Sequence, residues 1–105
     1  MRQTKQIKRI MQMEENLDAA KEALERFRKA LDDYTMIQDT ILELEAYYAS
    51  DWRKDFEADE AGKLPEDLKR GVLSEDGLYD VLEENRLSAS DALYSLAQMI
   101  GQGIL

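Results

Sequence analysis

Carboxylates are the side chains of this sequence with the widest choice of chemistry. Asp55, Glu57, Asp59 and Glu66 stand at positions 1, 3, 5 and 12 of a calcium-loop spacing, the pattern by which successive oxygens wrap a hard cation. Such a loop turns on a glycine at position 6, which here is Glu60, and Pro65 stiffens the exit. Phe56 also belongs to an apolar helical stripe, so residues 55–59 are expected to be helical with diverging carboxylates. No metal ligand is assigned. Neighbouring acids such as Asp59/Glu60 or Glu83/Glu84 could in principle divide acid and base roles. With 23 Asp+Glu in 105 residues, however, such pairs arise by chance, and most fall at helix starts or on outer faces. The chain has no Cys and no His. That removes thiol nucleophiles, thiolate zinc sites, imidazole bases and the Glu-x-x-His sets of carboxylate metal centres. No glycine loop suited to phosphate is present either. The expectation is a protein that is not an enzyme, with no catalytic residue, no cofactor and no metal.

The second feature is aromatic. Tyr47, Tyr48, Trp52 and Phe56 place half of the eight aromatics within ten residues. Tyr and Trp are favoured anchors of protein interfaces, so these four are the interaction candidates. The plainer reading is core, because Tyr48, Trp52 and Phe56 recur every four residues on one helix face. Tyr47 lies off that stripe and is expected to be the exposed member.

The elements that carry these residues are helical. All five glycines and the one proline lie at or after Gly62, so the first sixty residues read as uninterrupted helical material. Ile10, Met13, Leu17, Ala20, Leu24, Phe27, Leu31 and Tyr34 alternate in steps of three and four, a heptad seam over about four heptads. Asn16, Ala23 and Ala30 widen the stripe along one side, as suits a helix with neighbours in a bundle. Glu22–Arg26 and Glu25–Lys29 are in the favourable order for pairs along the outer face. Past Tyr34 the register slips to Ile37, Ile41, Leu44 and Tyr48, which predicts a turn around Asp32–Gln38 and an antiparallel hairpin. One continuous rod is the alternative. Ser50-Asp51 could cap a separate short helix, or the helix could run on there with a kink. Pro65, Glu66 and Asp67 predict a short helix over 65–70 stopped by Gly71, and Ser74 predicts the N-cap of a last helix over 74–100, with Glu75 and Asp76 in its first turn. Polar residues 85–90 interrupt that helix's stripe. Leu96, Met99, Ile100, Ile104 and Leu105 form an apolar tail that either docks on the bundle or self-associates. The expected fold is all-α: one domain over 1–105, a helical bundle built on a long antiparallel hairpin, a short helix and a C-terminal helix.

The formal net charge of −9 opposes direct nucleic-acid binding, which needs Lys and Arg to displace counterions. Arg2, Lys5, Lys8 and Arg9 give the first ten residues four positive charges, against ten bases and 23 acids in the rest. That is a small basic start for a membrane or nucleic-acid footprint. No apolar run approaches the length of a membrane span, and no hydrophobic export segment follows the basic start. A cytoplasmic protein with no membrane contact is expected.

The blocks DEAGKLP and DLKRGVLSED, within Glu57–Leu82 and following LELEAYYASDWRKDFEADEAG, are the most distinctive part of the chain. Through them it resembles a family of small bacterial helical proteins known only as a domain of unknown function, over about Ile7 to Leu87. The resemblance implies a soluble all-helical protein of about this length from low-GC Gram-positive bacteria, and it implies no activity. The function expected is a protein–protein interaction or assembly module, with a protein partner or itself, as a homodimer. An acidic decoy of a nucleic-acid-binding surface is the alternative, although the acids are interleaved with Lys and Arg. A carboxylate metal-binding protein is the remaining one.

Overall fold

The computed structural model describes residues 2–74 and 76–105, and among these the regular structure is helical, with no strand. Four α-helices follow in order: α1 (Arg2–Met36), α2 (Gln38–Ala49), α3 (Trp52–Glu60) and α4 (Gly77–Gly101), with a 3-10 turn over Gly71–Leu73 ahead of α4. The chain divides into two compact units, Met1–Gln38 and Asp39–Leu105. Among the described residues no helix is long and apolar enough to cross a membrane.

The first unit is α1 alone. Without Gly or Pro nothing breaks its backbone ladder over 35 residues. Because no second element shares this unit, the heptad stripe is open: Ile10, Met13 and Phe27 are each about half exposed and Leu24 is 67% exposed. Lys29 pairs forward with Asp33 at 3.3 Å rather than back to Glu25 as expected. The turn expected across Asp32–Gln38 shrinks to one residue, Ile37, between α1 and α2. Two local bonds explain why the helix persists: the Ile37 N–H still donates to Asp33 O (3.1 Å), and the Thr35 hydroxyl donates to Leu31 O (2.8 Å). Neither Asp33 nor Thr35 acts as the cap of a new helix.

The second unit holds the core. Leu73 and Leu78 are the buried hydrophobic residues among those described, one in the 3-10 turn and one in the first turn of α4. Of the two readings at Ser50-Asp51, a new helix or a kink, the structure has the break, without a side-chain cap on α3. The Ser50 hydroxyl instead donates back to Ala46 O (2.7 Å). At its other end α3 stops on Gly62, whose φ of +70° is the left-handed conformation that glycine adopts freely. Gly62 N–H donates to Asp59 O and Lys63 N–H to Ala58 O, the bond pair of a Schellman motif. Gly103, at φ +75°, closes α4 the same way, with Ile104 N–H on Met99 O. The apolar tail beyond it stays open, Ile104 and Leu105 being well exposed.

The short helix expected over 65–70 is absent. Pro65–Arg70 forms a turn, Leu68 N–H donating to Pro65 O (3.2 Å). The Arg70 guanidinium takes the carbonyls of Pro65 and Leu68, so these oxygens accept from a side chain where a helix would supply a backbone amide four residues on. Ser74 caps in part as predicted: its hydroxyl accepts from Gly77 N–H (3.1 Å) and donates to Gly71 O (2.8 Å). The α-helix itself starts at Gly77, later than expected, and runs unbroken through the polar stretch 85–90. The acid expected in its first turn at Glu75 lies outside the described residues.

Candidate interaction surface

The aromatic row is a continuous stack across the α2–α3 break. Tyr48 and Trp52 have ring centroids 5.1 Å apart and tilted, and Trp52 and Phe56 are 5.0 Å apart and near parallel, the offset geometries aromatic pairs prefer. The Trp52 indole N–H donates to Val72 O at 2.8 Å, tying α3 to the 3-10 turn twenty residues on. Trp52 and Phe56 are half-buried. Their ring contacts and the Trp52 bond join α2, α3 and the 3-10 turn within the second unit.

Tyr47 departs from its expected place. It is half-buried, and its hydroxyl donates to the Asp55 carboxylate at 2.7 Å. The break at Ser50-Asp51 is the reason: one turn of α3 later, Asp55 meets a side chain that would point outward on an unbroken helix. Burial, reinforced by the hydrogen bond to Asp55 and the negative charges of Asp55 and Asp51, pushes its phenol from 10.0 up to about 12. Tyr48, on the stripe, is the more exposed of the two at 36%.

The carboxylates of the calcium-like spacing are dispersed. Asp55, Glu57 and Asp59 all lie on α3; Asp55 faces Tyr47, Glu57 pairs with Arg53 at 3.7 Å, and Asp59 pairs with Arg70. Among the described residues no group of three or more acids stands close enough to hold a metal ion. The Asp59–Arg70 pair joins the two signature blocks. With the Arg70 bonds to Pro65 O and Leu68 O it folds residues 61–70 back on α3 as a clasp.

Among the described residues, each unit has a hollow open to a partner. In the second unit α2 and α4 flank a shallow cleft of about 370 Å³ lined by Glu45, Tyr48, Ala49, Tyr79, Leu82 and Arg86. Of these, sequence reasoning singled out only Tyr48; Tyr79, Leu82 and Arg86 at steps of three and four on α4 were the available signal. In the first unit, Leu24, Phe27, Arg28, Leu31 and Asp32 line a hollow of about 400 Å³ on α1.

With this geometry in hand, comparison with known families gives one result: the profile described as Domain of unknown function (DUF4298) matches residues 10–95. The chain belongs to the DUF4298 family. The match takes in the α1 seam from Ile10, the aromatic row, the clasp and most of α4, and ends before the Gly103 cap and the apolar tail. No curated protein and no solved structure matches.

Proposed function

We propose that this DUF4298 protein is a non-enzymatic assembly module that works as a homodimer through the open seam of α1. One observation carries the reading: six large apolar residues at heptad spacing (Ile10, Met13, Leu17, Leu24, Phe27 and Leu31) stand 47–67% exposed on a helix alone in its unit. Large contiguous apolar patches on a soluble chain mark places where something docks, and isolated helices gain most of their stability by burying an apolar face. The carboxylates that could do chemistry are occupied with structural partners, Asp55 with Tyr47 and Asp59 with Arg70. This supports a binding role over catalysis.

Sedimentation of the whole chain at micromolar concentration tests the reading. We expect a dimer mass, and a monomer for the Leu17→Glu/Leu24→Glu variant, which places four charges in the paired seam. Trp52, the single tryptophan, sits in the second unit, so unchanged Trp fluorescence shows that the variant keeps the fold of that unit while losing the pairing. A wild-type chain that stays monomeric refutes the proposal.

A further inference from the structure

We propose that α1 pairs with α1 of a second copy in antiparallel orientation, in the register that sets Ala20 against the partner's Leu24. This rests on the assembly reading above and gives it an orientation. The seam has two rows: Ile10, Leu17, Leu24 and Leu31 in one, Met13, Ala20, Phe27 and Tyr34 in the other. A parallel pair stacks each residue on its own copy, so Ala20 meets the partner's Ala20 and leaves a gap. Two layers on, Phe27 meets the partner's Phe27 and crowds the seam. Reversing one helix matches large with small and spreads the bulk. Ala20 meets the partner's Leu24, Phe27 the partner's Leu17, Met13 the partner's Leu31, and Ile10 the partner's Tyr34. All eight seam residues then have a neighbour, and a slip of one heptad strands residues at both ends. Evenly filled layers are what close packing requires.

Three further observations fit. The hollow on α1 contains Leu24, Phe27, Arg28 and Leu31, with Asp32 beside them; those four stand at the positions of a hole into which a knob inserts in such pairs, and this register delivers the partner's Leu17 to it. On one flank Asn16, Ala23 and Ala30 are small, allowing close approach. On the other, Glu14 faces the partner's Arg28 twice by symmetry, while Lys21 meets the partner's Lys21 near the two-fold axis with Glu25 one turn away. A parallel pair would also gain two ion pairs, Arg9 with the partner's Glu14, so charge alone does not choose; exposed ion pairs contribute little, and the layers decide. The six open side chains present on the order of 600 Å² per chain, which brings two copies to the lower end of the roughly 1,200–2,000 Å² of stable interfaces.

The absence of Cys makes the test direct. Met13→Cys and Leu31→Cys each introduce a lone thiol; each variant is oxidised alone, and the two are oxidised after being mixed and refolded together. In the proposed register identical positions lie about 27 Å apart, so the mixture should yield roughly tenfold more covalent dimer than either variant alone, given the short reach of a disulfide. Strong self-linking of either variant means a parallel pair; it overturns the orientation and leaves the assembly reading standing. A dimer by sedimentation with no link in any sample places the contact elsewhere, as on the open C-terminal tail, and also overturns the orientation. A monomer in every sample overturns both, the occupant then being helices of the same chain, as in the antiparallel hairpin, or another protein.

Discussion

Tyr47 and Gly77 show how much of this structure is held by single atoms. The Tyr47 phenol donates to Asp55, so the bond exists only while the phenol is protonated. Its folded pKa lies above the ordinary 10.0; the contribution is therefore complete below pH 10 and is lost as pH rises through about 12. The tyrosinate absorbance of wild type minus that of Tyr47→Phe should have a midpoint near 12; a midpoint at 10 contradicts the contact. Gly77 offers a sign test. In a helix interior Gly→Ala gains about 1 kcal/mol. Here an added Cβ would fall on the Ser74 hydroxyl and 2.9 Å from Gly71 O. Gly77→Ala should therefore destabilise the second unit by about 1–3 kcal/mol in urea unfolding followed by Trp52, and a gain would show that the turn relaxes. Ser74→Ala, which loses the hydroxyl bond to Gly77 N–H, should cost about 1 kcal/mol.

The clasp is the element on which sequence and structure differ most. Pro65 followed by two acids reads as a helix start, and only the path of the Arg70 side chain shows that its carbonyls go to a guanidinium instead. That contact spans eleven residues back to Asp59, and no local periodicity announces it. The seam of α1, by contrast, was legible residue by residue because a heptad repeat is a local property. The α2–α3 break at Ser50-Asp51 was legible only as one of two readings, a new helix or a kink. Its effect on Tyr47 was not legible, since it depends on where the next turn points Asp55. The turn placed at Asp32–Gln38 came from a true register slip, but backbone and Thr35 bonds carry the helix on to Met36. For the clasp, Arg70→Met leaves the Asp59 carboxylate without its partner and should cost about 1–3 kcal/mol. Trypsin should then cut after Lys63 and Lys69 well before the rest of the chain; wild-type resistance at both would mean that the Arg70 bonds are dispensable.

For the whole molecule, the division into Met1–Gln38 and Asp39–Leu105 separates two kinds of stability. The second unit has its own buried residues, whereas α1 relies on whatever covers its seam. If that cover is another copy, mass action applies. The helical signal of α1 should melt at higher temperature as protein concentration rises, while the Trp52 signal stays put. Coincident, concentration-independent transitions would show the two units unfolding as one. The family match, at residues 10–95, runs across the boundary between Gln38 and Asp39 and takes in most of both units. Inheritance has therefore treated a lone helix and a small folded unit as a single cassette, so genomes should shuffle them jointly, and such a helix spliced to some unrelated domain would be the telling exception.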